Sequence, residues 1–109
     1  MLKIVAVTAC PTGIAHTYMA AEVLESEGRK LGVEVIVETN GSIGVENRLK
    51  EKDIKESIAV IIAADIRVEK ARFQGKPLKE ATITFGIHHA KELILGAIEG
   101  RFEIYDHRD

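Results

Sequence analysis

The sequence predicts a small three-layer α/β fold built on a parallel sheet, and three observations carry that prediction. Residues 4–7 (IVAV) and 58–64 (IAVIIAA) are uninterrupted apolar runs, the pattern of strands covered on both faces. Residues 33–39 (VEVIVET) form a third stretch rich in β-branched residues. Between the first and third lies a segment of helical length, so strand, helix and strand make a βαβ unit with parallel pairing and a right-handed crossover.

Strand one ends at Thr8 and Ala9, because Pro11 lacks an N–H and Gly13 permits unusual backbone geometry. Residues 14–31 read as the first helix, with Ile14, Tyr18, Ala21, Leu24 and Leu31 along one face and Gly32 as its C′ residue. Strand two follows, and Asn40-Gly41-Ser42 turns the chain away. Residues 43–57 are polar and mixed, with Val45, Leu49 and Ile54 as expected buried points and room for one or two helical turns. Asp65 ends the second apolar run on the same sheet edge as Cys10. Residues 67–77 read as loop, residues 79–85 as a short fourth strand, and residues 88–98 as the last helix, closed by Gly100. The tail, residues 101–109, suits either an extra edge strand or a loose end.

Composition narrows the classes. At 109 residues with 46% apolar and 29% charged content, the chain suits one ordinary globular domain. A formal net charge of -2 gives no electrostatic case for nucleic acid or an anionic membrane surface. No apolar run approaches the ~20 residues that span a bilayer. The N-terminus leads directly into a strand without a signal-peptide layout, and a single cysteine suits a reducing compartment, so the expected location is cytoplasmic. No cofactor and no metal site is expected. His88 and His89 diverge by ~100° on a helix, so one ion cannot readily take both.

The chemistry concentrates at Cys10. A thiol at the carboxyl end of a parallel strand, facing the first turn of a helix, lies where such sheets place ligands. Helix N-terminal N–H groups and the helix dipole favour both a thiolate and a bound phosphoryl group. Thr12 and Thr17 add hydroxyls, and His16 adds an imidazole. Asp65 is a possible neighbour from the next strand end, although an Asp there more often caps a turn. Arg72 is expected to be a solvated loop residue.

Low-molecular-weight tyrosine phosphatases carry a loop of Cys, five residues, Arg and Ser or Thr. Here His16 and Thr17 follow Cys10 at that spacing, without the arginine that clamps phosphate oxygens and without an Asp-Pro general acid. A phosphatase-like hydrolase is therefore the alternative reading. No second thiol is present for reductase chemistry through an internal disulfide.

Residues 7–25 (VTACPTGIAHTYMAAEVLE) closely resemble the signature of the fructose-specific IIB component of the bacterial phosphoenolpyruvate-dependent sugar phosphotransferase system. Residues 37–44 (VETNGSIG), 60–68 (VIIAADIRV) and 72–76 (RFQGK) resemble that family in the same order. The resemblance implies a four-stranded parallel sheet of order 2-1-3-4 with helices on both faces, the IIB domain occupying residues 1–100. It implies that Cys10 accepts a phosphoryl group from a histidine of a IIA component and passes it to sugar bound by the membrane IIC component; with one domain read in this chain, the two partners are expected on separate chains. The phosphate loop carried over comprises Pro11, Thr12, Gly13, Ile14, Ala15, His16 and Thr17. The implied sugar is fructose, giving fructose 1-phosphate, with mannose or mannosyl-glycerate as related possibilities.

Overall fold

The structure, a computed structural model, describes residues 1–11, 14–41 and 43–106, with the backbone alone at Ile14. In chain order the elements are β1 (Lys3–Ala9), α1 (Ile14–Lys30), β2 (Glu34–Gly41), β3 (Gly44–Glu46), α2 (Glu51–Glu56), β4 (Ala59–Ala64), a 3-10 turn (Ala71–Phe73), β5 (Pro77–Ala81), α3 (Ile83–His88), α4 (Ala90–Ile98) and β6 (Glu103–Ile104). They form one six-stranded sheet of order β3-β2-β1-β4-β5-β6.

β1 pairs in parallel with β2 and β4, and β4 pairs in parallel with β5. β3 and β6 add antiparallel pairings at the two edges. The expected sheet of four parallel strands in the order 2-1-3-4 is thus corrected to six strands of mixed direction, in which the parallel pairings run β2-β1-β4-β5 and the antiparallel ones lie at the two edges. The physical reason is that both edge strands lack an apolar face: every residue of β3 and of β6 is exposed. They are held by backbone pairing, which leaves no hydrophobic period in the sequence.

β1 alternates between two cores. Ile4 and Ala6 join Leu24 of α1 and Leu93 and Ile94 of α4. Val5 and Val7 join Ile54 of α2, Leu49 and Phe73 on the opposite side. Lys3 ties α2 to the sheet through Asp53 at 2.9 Å and Glu56 at 2.7 Å.

The buried face of α1 is rotated from the expected one. Thr17, Ala20, Ala21 and Leu24 are buried, whereas Tyr18 is 39% exposed. Small residues on this face let the helix lie close to the sheet, and Gly28 is the tightest point. A Cβ there would collide with Val35 Cγ2 and approach the Val33 carbonyl oxygen at 3.3 Å. A Gly28→Ala substitution should therefore destabilise by roughly 1–3 kcal/mol through overpacking, despite alanine's better helix propensity. A urea unfolding midpoint would show it. At the end of α1, Gly32 takes a φ of 76°, as its C′ role requires.

Other boundaries shift. Asn40 and Gly41 continue β2 instead of turning it, Val45 is 49% exposed, and the strand expected at residues 79–85 lies at Pro77–Ala81. The expected helix at residues 88–98 is α4, and residues 83–85, expected to end the strand, instead open α3, capped by the Thr82 hydroxyl, which accepts from the Phe85 N–H at 3.1 Å.

Candidate functional site

Parallel pairing brings several strand ends to one edge. Ala9 stands in register with Asn40 of β2 and Ala64 of β4. The Cys10 N–H donates to the Asn40 carbonyl at 3.3 Å, and the Asp65 N–H donates to the Ala9 carbonyl at 3.0 Å. Cys10 therefore sits one residue beyond the strand, 8% exposed, packed with Ala20 of α1 and Ile83 of α3.

The helix face that meets Cys10 carries Thr17. The Thr8 hydroxyl donates to the Thr17 carbonyl at 3.1 Å, locking the first turn of α1 onto β1. The Thr17 hydroxyl is itself fully buried with no hydrogen-bond partner among the described residues. A buried hydroxyl without a partner is costly, so it marks a place where an acceptor is expected. Around it, the first-turn N–H groups of α1 have no intrahelical acceptors and lie at the positive end of the helix dipole.

Of the expected loop, Pro11, Ala15 and His16 are exposed at this edge and Thr17 is buried. Thr12, Gly13 and the side chain of Ile14 lie outside the described residues. Asp65 is brought to the same edge, where its carboxylate accepts the Ile83 N–H at 3.1 Å and so anchors α3 beside Cys10. His88 is exposed, while His89 meets Glu92 at 3.1 Å and stacks on Phe85 with ring centroids 4.5 Å apart. Among the described residues no group of three or more His, Cys, Asp and Glu side chains could hold a metal ion. No helix among them is long and apolar enough to cross a membrane.

Sequence reasoning missed a buried charge pair next to this edge. Glu38 is 1% exposed and receives both guanidinium ends of Arg72, at 2.8 and 2.7 Å. Its remaining capacity is filled by the Leu49 N–H at 2.9 Å and the Asn40 side-chain amide at 3.2 Å. Arg72 is thus a paired, largely buried side chain and not a solvated one. Burial pushes the Glu38 carboxyl up, but the Arg72 hydrogen bonds, with those from Leu49 and Asn40, outweigh it and hold the carboxyl below its usual range. A glutamate directly after the apolar run Val35-Ile36-Val37 of β2 was the available signal. Its partner lies 34 residues away, beyond any local pattern.

These features define a three-layer α/β protein with its sole cysteine at the carboxyl edge of the first strand, opening into a helix N-terminus. The family model described as "PTS system, Lactose/Cellobiose specific IIB subunit" matches residues 5–95. The chain belongs to this IIB family of the sugar phosphotransferase system (PTS), whose components are phosphotransferases.

The "PTS system fructose-like EIIB component 2" of Escherichia coli (strain K12) is 48% identical over 100 residues, covering 91% of this chain and 93% of that protein. The "PTS system fructose-specific EIIABC component" of Bacillus subtilis (strain 168) is 50% identical over 103 residues, which are 94% of this chain and 16% of that protein. The chain spans only 13–16% of the length of such multicomponent relatives. The crystal structure of a domain from the fructose-specific IIABC component of Borrelia burgdorferi superposes with a TM-score of 0.91 at 41% identity, covering 95% of this chain and 98% of that one.

Proposed function

We propose that this chain is a cytoplasmic phosphoryl relay in sugar uptake, with Cys10 as nucleophile and carrier. The Cys10 thiolate attacks the phosphorus of a phosphohistidine on a IIA component. An S–P bond forms, the N–P bond breaks, and its electron pair returns to the imidazole. A hydroxyl of sugar held by a membrane IIC component then attacks the same phosphorus. The S–P bond breaks with its pair returning to sulfur, and the hydroxyl proton leaves to a base on the acceptor side. Neither step uses a metal or cofactor from this chain.

The observation that carries this reading is the buried Thr17 hydroxyl, without a partner among the described residues, one helical turn before the Ala20 that packs on Cys10. A phosphoryl group on sulfur would supply the missing acceptor and face the unpaired N–H groups of the helix start. His16, exposed on the same turn, is the proposed donor to the outer phosphoryl oxygens. In such transfers the protein contributes mainly positioning and electrostatic stabilisation. Fructose as the sugar, with fructose 1-phosphate as product, is supported by the names of the relatives, which run from fructose-specific to 2-O-alpha-mannosyl-D-glycerate-specific.

The test is the intact mass of the chain after incubation with phosphoenolpyruvate, the general phosphotransfer proteins and a fructose-type IIA. One added phosphoryl group, absent from Cys10→Ser, is the expected result. Release of phosphate from a simple aryl phosphate without an adduct would move the assignment to a hydrolase. A second expectation concerns Thr17→Val. The unmodified chain should keep its stability or gain slightly, because no hydrogen bond among the described residues is lost, whereas the phosphorylated share at equilibrium should fall about tenfold or more. Thermal unfolding and intact mass measure the two effects.

A further inference from the structure

We propose that the buried Glu38–Arg72 pair is a positioning device for the Cys10 loop; its consequence for phosphoryl transfer rests on the relay reading above. The connection is continuous. Arg72 grips Glu38 with two hydrogen bonds, Glu38 Oε2 receives the Asn40 amide, and the Asn40 carbonyl receives the Cys10 N–H. Glu38 Oε1 also takes the Leu49 N–H, so one carboxylate pins three segments: the end of β2, the chain after β3, and the 3-10 turn that carries Arg72. Ala9, Asn40, Glu38 and Arg72 line one groove of about 250 Å³ beside the sheet edge.

Stability alone does not account for such a pair. Desolvating two charges consumes most of their mutual attraction, and well-packed apolar replacements of buried pairs are often neutral or stabilising. What a bidentate guanidinium–carboxylate pair supplies beyond energy is direction. Here that direction is imposed on the last residues of β2, two positions from the charge and one hydrogen bond from Cys10. A cradle for a phosphoryl group depends on preorganised N–H groups, and small displacements of the first peptide of the loop would misalign them.

The decisive variant is the apolar double replacement Glu38→Met/Arg72→Leu in the full chain. We expect a modest fall in melting temperature, because the replacement strands the buried Leu49 N–H. Hydrogen exchange of the Cys10 amide, read by NMR, should accelerate at least several-fold, and transfer from phosphorylated IIA to Cys10 should slow by roughly 10- to 100-fold. A merely structural pair would show the change in stability with unchanged Cys10 exchange and transfer. That outcome overturns the proposal. Should the double variant fail to fold, Arg72→Lys decides, because it keeps the charge and loses the fork. Faster Cys10 exchange in that variant supports the proposal, and wild-type exchange overturns it. If the unaltered chain accepts no phosphoryl group, the relay reading fails on its own, and the amide exchange still decides for or against positioning.

Discussion

An Arg72→Ala chain should lose about 3–5 kcal/mol of stability at neutral pH, because it strands a buried carboxylate. In the intact chain Glu38 is held by four hydrogen bonds, two of them from Arg72. Removing the guanidinium leaves the Leu49 N–H and the Asn40 amide, too little to offset burial, so the Glu38 carboxyl moves from below its usual range to above it. The pH dependence reverses accordingly. In the intact chain a depressed folded-state value stabilises above the ordinary 4.5 and is lost as pH falls through the folded value. In the variant, a raised folded-state value makes the chain relatively more stable below 4.5 and progressively weaker toward neutrality. Urea unfolding of both chains at pH 7 and pH 4 should therefore show a gap that narrows in acid. A constant gap would mean that Arg72 acts by packing alone.

Phe73→Ala should have an effect of similar size, about 3–5 kcal/mol. Phe73 is fully buried and is the largest side chain in the core beneath the sheet, packed among Val5, Val7, Val60 and Ile62. The surrounding strands are fixed by pairing on both sides and cannot collapse into the space left. The Arg72 guanidinium also lies over the Phe73 ring, 4.8 Å from its centroid, so the substitution removes the platform that orients the charge pair. Against a typical total of about 5–15 kcal/mol, this is a large share, and the melting temperature should fall by more than ~12 °C. Calorimetry of the two chains checks it. A fall of only a few degrees would show that the turn repacks.

The parts of this fold legible in the sequence are those with a hydrophobic period. β1 and β4 are apolar on both faces, and α1 has the length and the closing Gly32 of an amphipathic helix, so all three stood out. β5 was displaced because Lys79 and Glu80 are exposed and the strand is defined by its pairing with β4. The face of α1 was misread because Thr17, polar in name, is buried, while Tyr18 is the exposed neighbour. At the site, strand-end geometry made Cys10 and Asp65 legible at one sheet edge, since parallel pairing aligns carboxyl ends automatically. The Glu38–Arg72 pair was not legible, because charge complementarity across 34 residues becomes meaningful only after β2 and the 3-10 turn are folded together.

The brevity of β3 and β6 governs how the molecule can meet others. A parallel sheet ending in long, flat strands would offer its unpaired N–H and C=O groups as a template for further chains. Here each margin is closed by a stub of three or two residues, one turning at Asn47 with a φ of 54° and the other followed by Tyr105, whose backbone exchanges bonds with Gly75 and Lys76. Neither stub offers the length that lateral growth by strand addition requires. Lateral strand addition is thereby disfavoured at both margins, while Cys10 lies at neither margin but beyond the carboxyl end of a central strand.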